Sequence, residues 1–274
     1  MMISPLKHRS LSFRAHGPHE APALVMLHGF LGDGDDFDSV TATLSKKWRV
    51  VTVDLPGHGS SPILDVHGAA AFEHCAEHLL DVVDQLATPW CHLLGYSMGG
   101  RIALYTAVKF PARFRSLILE SSSPGLSSPE EQAERRQQDE ATARRLESQP
   151  LETFLADWYR QPLFGRVSED ADRLGQLIDK RRHGNVRHLA WALRALGTGC
   201  QPSLWETLSR VSLPVLLITG QNDSKFTKIA ASMRVLLPDA RGETLSGAGH
   251  NVHMERPDDY AAVVSSFLKE CDKS

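Results

Sequence analysis

The chain has 274 residues, 42% hydrophobic and 23% charged, the balance of a globular protein with an apolar core, at a length that suits one α/β domain carrying an insertion. Its net charge of −3 excludes a general nucleic-acid binder, which would be basic. Cys75, Cys91, Cys200 and Cys271 form neither C-x-x-C spacing nor a disulfide framework, and no signal-peptide core or membrane-length apolar run is visible, so a cytoplasmic protein with reduced thiols is expected.

In chain order, Ile3 to His16 is expected to supply one or two edge strands. Ala23–Leu27 is a short apolar run followed at once by His28-Gly29-Phe30. Asp36–Lys46 has helical spacing, and Arg49–Val53 is a β-branched strand ending in Asp54-Leu55-Pro56-Gly57-His58-Gly59-Ser60. Ala69–Leu86 carries Phe72, Leu79, Leu80, Val83 and Leu86 at the spacing of one helical face. Cys91–Leu94 is a buried-type strand, a helix reads from Met98 to about Lys109, and Ser116–Glu120 is another strand. From about Ser122 to Trp205 the β-branched runs vanish, and Pro150, Pro162, Gly184 and Gly199 divide the segment into helices. Strand rhythm returns with Pro214–Gly220, a helix from about Lys228, a strand near Arg241–Leu245 and a last helix over Pro257–Lys269. Strands alternating with helices predict a mostly parallel central sheet flanked by helices. Residues 1–121 and 206–274 then form the core, and 122–205 a helical lid inserted over the carboxyl ends of the strands, where ligands bind open α/β sheets.

Gly95-Tyr96-Ser97-Met98-Gly99 stands where that sheet would present a nucleophile. A G-x-S-x-G pentapeptide between strand and helix forces a tight turn that exposes the serine hydroxyl, and places the next N–H, of Met98, at a positive helix end. Loop sequences also contain such glycines and serines, so the strand–turn–helix setting carries the assignment. A nucleophilic serine needs a base and the base an orienting acid. Asp223 follows one predicted strand and His250 the last one, on the same edge of the sheet as Ser97. Singly, Asp223 reads as a helix cap and His250 as one of 13 histidines, in a solvent loop. Their order and strand-end placement favour a triad. The Phe30 N–H, from the loop after the first confident strand, is the natural second oxyanion donor. Asp54–Ser60 reads mainly as a structural turn.

His74-Cys75-Ala76-Glu77-His78 fits an H-x-x-E-H zinc pattern, but no third ligand follows and a plain helical face is the better reading. No phosphate loop or dinucleotide fingerprint follows any strand, so no metal and no cofactor are expected. Arg101, one turn into the elbow helix, opposes the helix dipole, which an anion at the site would offset. Its removal is therefore expected to leave the stability of the empty protein nearly unchanged. Between Ala133 and Arg194, 11 Arg and 1 Lys face 10 Asp/Glu, giving +2 where the whole chain is −3. Most of those arginines belong to solvated helix faces, and a few are expected to point inward at an anionic substrate.

On these residues the sequence resembles the α/β-hydrolase superfamily over nearly its whole length. More narrowly it resembles the 2-succinyl-6-hydroxy-2,4-cyclohexadiene-1-carboxylate synthase family of menaquinone (vitamin K2) biosynthesis. The narrower likeness rests on the elbow continued through Gly100-Arg101, Ser123-Pro124-Gly125-Leu126, Ala133-Glu134-Arg135, Asp157-Trp158-Tyr159 with Gln161-Pro162, Asp223-Ser224-Lys225-Phe226 and Ala248-Gly249-His250-Asn251. The resemblance implies a triad of Ser97, Asp223 and His250, with Tyr96 and Trp158 lining the pocket. It also implies carboxylate-binding arginines at Arg101, Arg135 and one of Arg181 or Arg182, with Arg136 a competitor for Arg135. The implied reaction is a carbon–oxygen lyase elimination of pyruvate from a tricarboxylate, without cofactor, nucleic acid or membrane. Hydrolysis of a small acidic ester or C–C bond, or a non-catalytic binding role on the same fold, are the alternatives.

Overall fold

The computed structural model describes residues 11–164 and 170–273. Seven strands form one sheet: β1 (Phe13–His16), β2 (Ala23–Leu27), β3 (Arg49–Val53), β4 (Cys91–Tyr96), β5 (Phe114–Glu120), β6 (Val215–Gly220) and β7 (Ala240–Leu245). Their order is β1-β3-β2-β4-β5-β6-β7. Only β1, paired with β3, runs antiparallel. The part of the expected edge strand before Leu11 lies outside the described residues.

The inner strands are buried on both sides, as parallel strands covered by helices must be. Alternate residues serve two cores. Val25, Leu27, Leu93, Leu117 and Leu217 face helices α2 (Ala69–Gln85) and α3 (Met98–Lys109). Leu24, Met26, Leu94, Ile118 and Ile218 face α1 (Asp38–Leu44) and the final helix (Pro257–Cys271). The period of two that sends successive side chains to opposite faces thus builds both layers from one set of strands.

The strand order reverses between β2 and β4. Chain from β2 turns to one side and chain from β4 to the other, which opens a crevice at their carboxyl ends. Leu27 pairs with Gly95, so the His28-Gly29-Phe30 loop and Ser97 leave the sheet side by side at that crevice.

Between β5 and β6 the chain forms α4 (Pro129–Glu147), α5 (Leu151–Tyr159), α6 (Ala171–Arg181) and α7 (Val186–Leu196). Ser128 and Glu131 close a reciprocal capping box at the start of α4, Asn185 caps α7 through its side chain, and Pro150 stands at the start of α5 without a capping bond. These helices have their own apolar cluster, including Leu146, Phe154, Leu155, Leu177 and Leu189, and Leu31 of the core joins it. Arg166 lies outside the described residues.

Two helix starts differ from expectation. The stretch predicted as one helix from Asp36 begins as a 3-10 turn, Gly34–Phe37, and becomes α-helical only at Asp38. The helix expected near Lys228 is α8, Ser224–Leu236, extended back one turn because Asp223 caps it.

Candidate active site

The elbow is built by steric necessity. Ser97 has φ +50°, a left-handed conformation that a side chain rarely adopts. It survives because strand and helix pass without side chains between them: a Cβ on Gly95 would meet the Gly99 carbonyl oxygen at 2.4 Å, and one on Gly99 would meet that of Leu27 at 2.2 Å. The Ser97 N–H donates to the Glu120 carbonyl of β5 at 2.9 Å, which fixes the turn against the sheet.

Ser97 Oγ lies 3.0 Å from His250 Nε2, and His250 Nδ1 lies 2.6 Å from Asp223 Oδ2. Both partners are buried, so the three side chains form one hydrogen-bonded line from the cavity into the protein. Asp223 sits in the geometry of both readings considered for it: one oxygen faces the imidazole, and the second accepts the Phe226 N–H at 3.2 Å as helix cap. Capping fixes its rotamer, and the fixed rotamer aims the other oxygen at the imidazole. Two loops are tied together behind the line, since the Asn222 N–H donates to the Ala248 carbonyl at 2.8 Å.

Linear reading missed the brace beneath His250. Glu120 and His253 are wholly buried, and Glu120 accepts both the His253 N–H (3.1 Å) and its Nδ1–H (2.8 Å). Glu255 accepts the Gly249 N–H at 2.9 Å from the other side of the same loop. A lone glutamate closing the apolar strand Phe114–Glu120 was the only sequence signal.

The loop that carries Phe30 rests on neutral histidines. His28 Nε2 accepts the Leu55 N–H at 2.9 Å, so Nδ1 carries the proton and donates to the Gly29 carbonyl at 2.7 Å. His58 Nε2 accepts the Leu31 N–H at 3.3 Å while Nδ1 donates to the Pro56 carbonyl at 3.1 Å. Burial, together with His28 beside it, pushes His58 down to about 3, and burial lowers His28 as well. Asp54 accepts the Gly34 and Ser60 N–H groups, each at 2.9 Å. The Asp54–Ser60 turn is therefore the support on which the Phe30 loop is held. Among the described residues, no acceptor is assigned to the N–H of Phe30 or of Met98.

Ser97 opens into a cavity of 410 Å³. Every site residue expected from the sequence lines it except Asp223, which stands behind His250. Trp158 packs edge-on against Phe30, with ring centroids 5.3 Å apart, and Tyr96 lies 5.4 Å from the His250 ring. Arg135 and Arg181 line the cavity, while Arg136 and Arg182 turn away, to the Gly199 carbonyl (2.9 Å) and toward Asp179 (3.6 Å). Lys225, unmarked as a site residue in the sequence, lines the cavity too.

These cations are held differently. Arg135 Nε donates to Asp139 at 2.8 Å, and Arg181 to Asp36 at 2.7 Å. Among the described residues Arg101 has no carboxylate within ion-pair distance: its Nη1 donates to the Leu196 carbonyl of α7 at 2.9 Å. Burial first, then the nearby Arg135, brings Arg101 down to about 10, so it is still charged at neutral pH. This changes the premise on which a small cost of removing it was expected. Arg101 is buried, and its loss would strip the Leu196 carbonyl of a donor.

His74 and His78 lie on α2, near Glu77 (3.8 Å) and Asp81 (3.7 Å) respectively. Among the described residues no group of three metal-ligating side chains converges. No helix among them is long and apolar enough to cross a membrane.

The sheet order, elbow and strand-end loops define a class. The chain belongs to the α/β hydrolase fold family, whose model matches residues 22–257. Within that superfamily it belongs with the 2-succinyl-6-hydroxy-2,4-cyclohexadiene-1-carboxylate synthases. It is 36% identical over 256 residues to a putative synthase of that name from Bacillus subtilis (strain 168), covering 92% of each chain. It is 34% identical over 254 residues to the synthase of Escherichia coli O1:K1 / APEC, covering 93% of this chain and 96% of that one. The structure of MenH from S. aureus superposes with a TM-score of 0.89 at 34% identity, over 96% of this chain and 99% of that one.

Proposed function

We propose that this enzyme eliminates pyruvate from 2-succinyl-5-enolpyruvyl-6-hydroxy-3-cyclohexene-1-carboxylate, giving 2-succinyl-6-hydroxy-2,4-cyclohexadiene-1-carboxylate. The observation that carries this reading is one cavity uniting the Ser97–His250–Asp223 line with Arg101, Arg135 and Arg181. A substrate with three carboxylates matches such a wall; a neutral lipid ester would offer Arg101, which among the described residues pairs with a carbonyl and no carboxylate, no counter-charge.

In this reading His250 draws the Ser97 hydroxyl proton, and Ser97 in turn takes the ring C–H proton made acidic by the succinyl ketone. Asp223 holds the imidazole in the required tautomer and stabilises its cation. The electron pair left on carbon moves into the ketone, whose enolate oxygen lies against the Phe30 and Met98 N–H groups. As the carbonyl re-forms, the ring C–O bond breaks. The departing enolpyruvate takes a proton and tautomerises to pyruvate. No water is added, so atoms balance as one substrate and two products. The helices between β5 and β6 serve as a lid that keeps water from the enolate.

The test is to supply the tricarboxylate and follow pyruvate and the cyclohexadiene together. Equimolar appearance of both supports elimination. Hydrolysis of acidic esters with no pyruvate release would replace the proposal with the hydrolase reading, and absence of both activities, with Ser97 unreactive to a sulfonyl fluoride, with a binding role.

A further inference from the structure

One ion cluster outside the triad joins the core half of the site to the helical half. Asp36, in the 3-10 turn after the Phe30 loop, is 3% exposed. Arg181 Nη2 donates to its Oδ2 at 2.7 Å, and Lys180 Nζ lies 3.3 Å from its Oδ1. The other Nη of Arg181 donates to the Tyr159 hydroxyl, and the guanidinium carbon lies 5.2 Å from that ring's centre. Two cations of α6 thus converge on a single core carboxylate, and a hydroxyl of α5 holds one of them from the other side. Burial alone would raise the Asp36 carboxyl, but Arg181 and Lys180 outweigh it and hold it below the ordinary range.

The carboxylate is packed as tightly on its core side. A Cβ on Gly32 would lie 2.1 Å from Asp36 Oδ2, and the Gly32 N–H closes a turn onto the Gly29 carbonyl at 3.1 Å. That turn carries Phe30. The Asp36 carboxylate therefore lies directly against the turn that presents the Phe30 N–H, so its position and that of the loop are coupled. Among the described residues Asp36 is the one carboxylate within ion-pair distance of both cations, and Asp33 feels the Lys180 charge from farther off. Arg181 keeps its pull on an anion in the cavity while its orientation is fixed by Asp36.

We propose that Asp36 is the positioning residue of substrate recognition, holding Arg181 at the cavity wall and fastening the helical insertion to the loop that carries Phe30. Its kinetic part rests on the reading that Arg181 binds a substrate carboxylate. A buried guanidinium deprived of this partner would have to find another or reorient, and the ordering it now brings to binding would be lost.

The experiment compares wild type, Asp36→Asn, Arg181→Ala and the double variant, all in the full chain. Steady-state pyruvate release gives kcat and KM separately, and hydrogen exchange without ligand follows residues 29–32 and 171–181. Asp36→Asn is expected to raise KM on the order of 10-fold or more, with a smaller change in kcat, and to speed exchange in both segments. In the Arg181→Ala background the same substitution should change KM by less than about 2-fold, because the group it positions is gone. An unchanged KM with a lowered Tm, an equal KM factor in both backgrounds, or unaltered exchange in either segment would overturn the proposal. If Asp36→Asn fails to fold, the double variant, relieved of its orphaned guanidinium, should fold. A double variant that also fails to fold overturns it equally. Should the wild type release no pyruvate, the functional reading fails by itself, while exchange and the stability order of the four proteins still test the anchor.

Discussion

The two halves of the active site are held by different forces. On the core side, the groups proposed to react are placed by backbone. Ser97 sits in a turn that only glycines permit, His250 in a loop braced by Glu120 and Glu255, and Phe30 in a loop supported by His28, His58 and Asp54. On the helical side, Arg135 and Arg181 are placed by side-chain ion pairs, and more exposed pairs such as Arg194 with Glu140 and Glu147 lie behind them. Backbone placement tolerates little error and suits the proton transfer, where about 1 Å of misplacement is costly. Side-chain placement adapts, and suits recognition of a flexible, multiply charged molecule. Arg101 spans the two, a core-helix residue bonded to a carbonyl of α7.

The sharpest division between chemistry and recognition should come from Ser97→Ala. It is expected to lower kcat by about 10³-fold or more with KM little changed and the thermal unfolding curve preserved. Near-normal turnover in the folded variant would move the proton transfer off the core half entirely.

Arg101→Ala tests the joint. Losing a charge-assisted contact in this desolvated wall should cut kcat/KM for the tricarboxylate by about 30- to 1000-fold, and by less for analogues lacking one carboxylate. Tm should fall as well, because the Leu196 carbonyl loses its donor. A uniform kinetic loss across all substrates would mean that Arg101 supports the fold rather than the anion.

Acid titration separates the halves by stability. His58 is held near 3 in the folded protein and near 6.5 when unfolded, so both states are deprotonated above pH 6.5. Below it the unfolded chain gains a proton that the folded one refuses, and stability is lost as pH falls toward 3. The slope is about 1.4 kcal/mol per pH unit for one such histidine at most. Urea unfolding from pH 7 to 5 should show it, with His58→Gln flattening the slope by about one proton. An unchanged slope would remove His58 from the support of the Phe30 loop.

The smallest effect belongs to the surface of the insertion. Arg194→Ala breaks two partly exposed pairs and is expected to cost about 1 kcal/mol or less, and to leave kcat/KM within about 2-fold. A 10-fold kinetic loss would show that the outer ion network sets the inner arginines, and that the helical half is less adaptable than its contacts imply.

What the sequence determined by itself follows from local rules. Alternating strands and helices predicted the sheet, because burial on both faces demands continuous apolar runs. The elbow was legible because its geometry requires glycine at fixed offsets, and Asp223 and His250 because each ends a strand that must finish on the same edge. Residue type alone could not separate Arg135 from Arg136 or Arg181 from Arg182. Adjacent helical positions differ by about 100° of rotation, and which one faces the cavity depends on how the helix docks. The chain was equally silent on Asp36 with Arg181, 145 positions apart, and on Glu120 with His253, 133 apart. Local periodicity registers which face of an element is apolar. It carries no record of which buried charge will meet which, because that pairing exists only once distant elements have packed and water has been excluded between them.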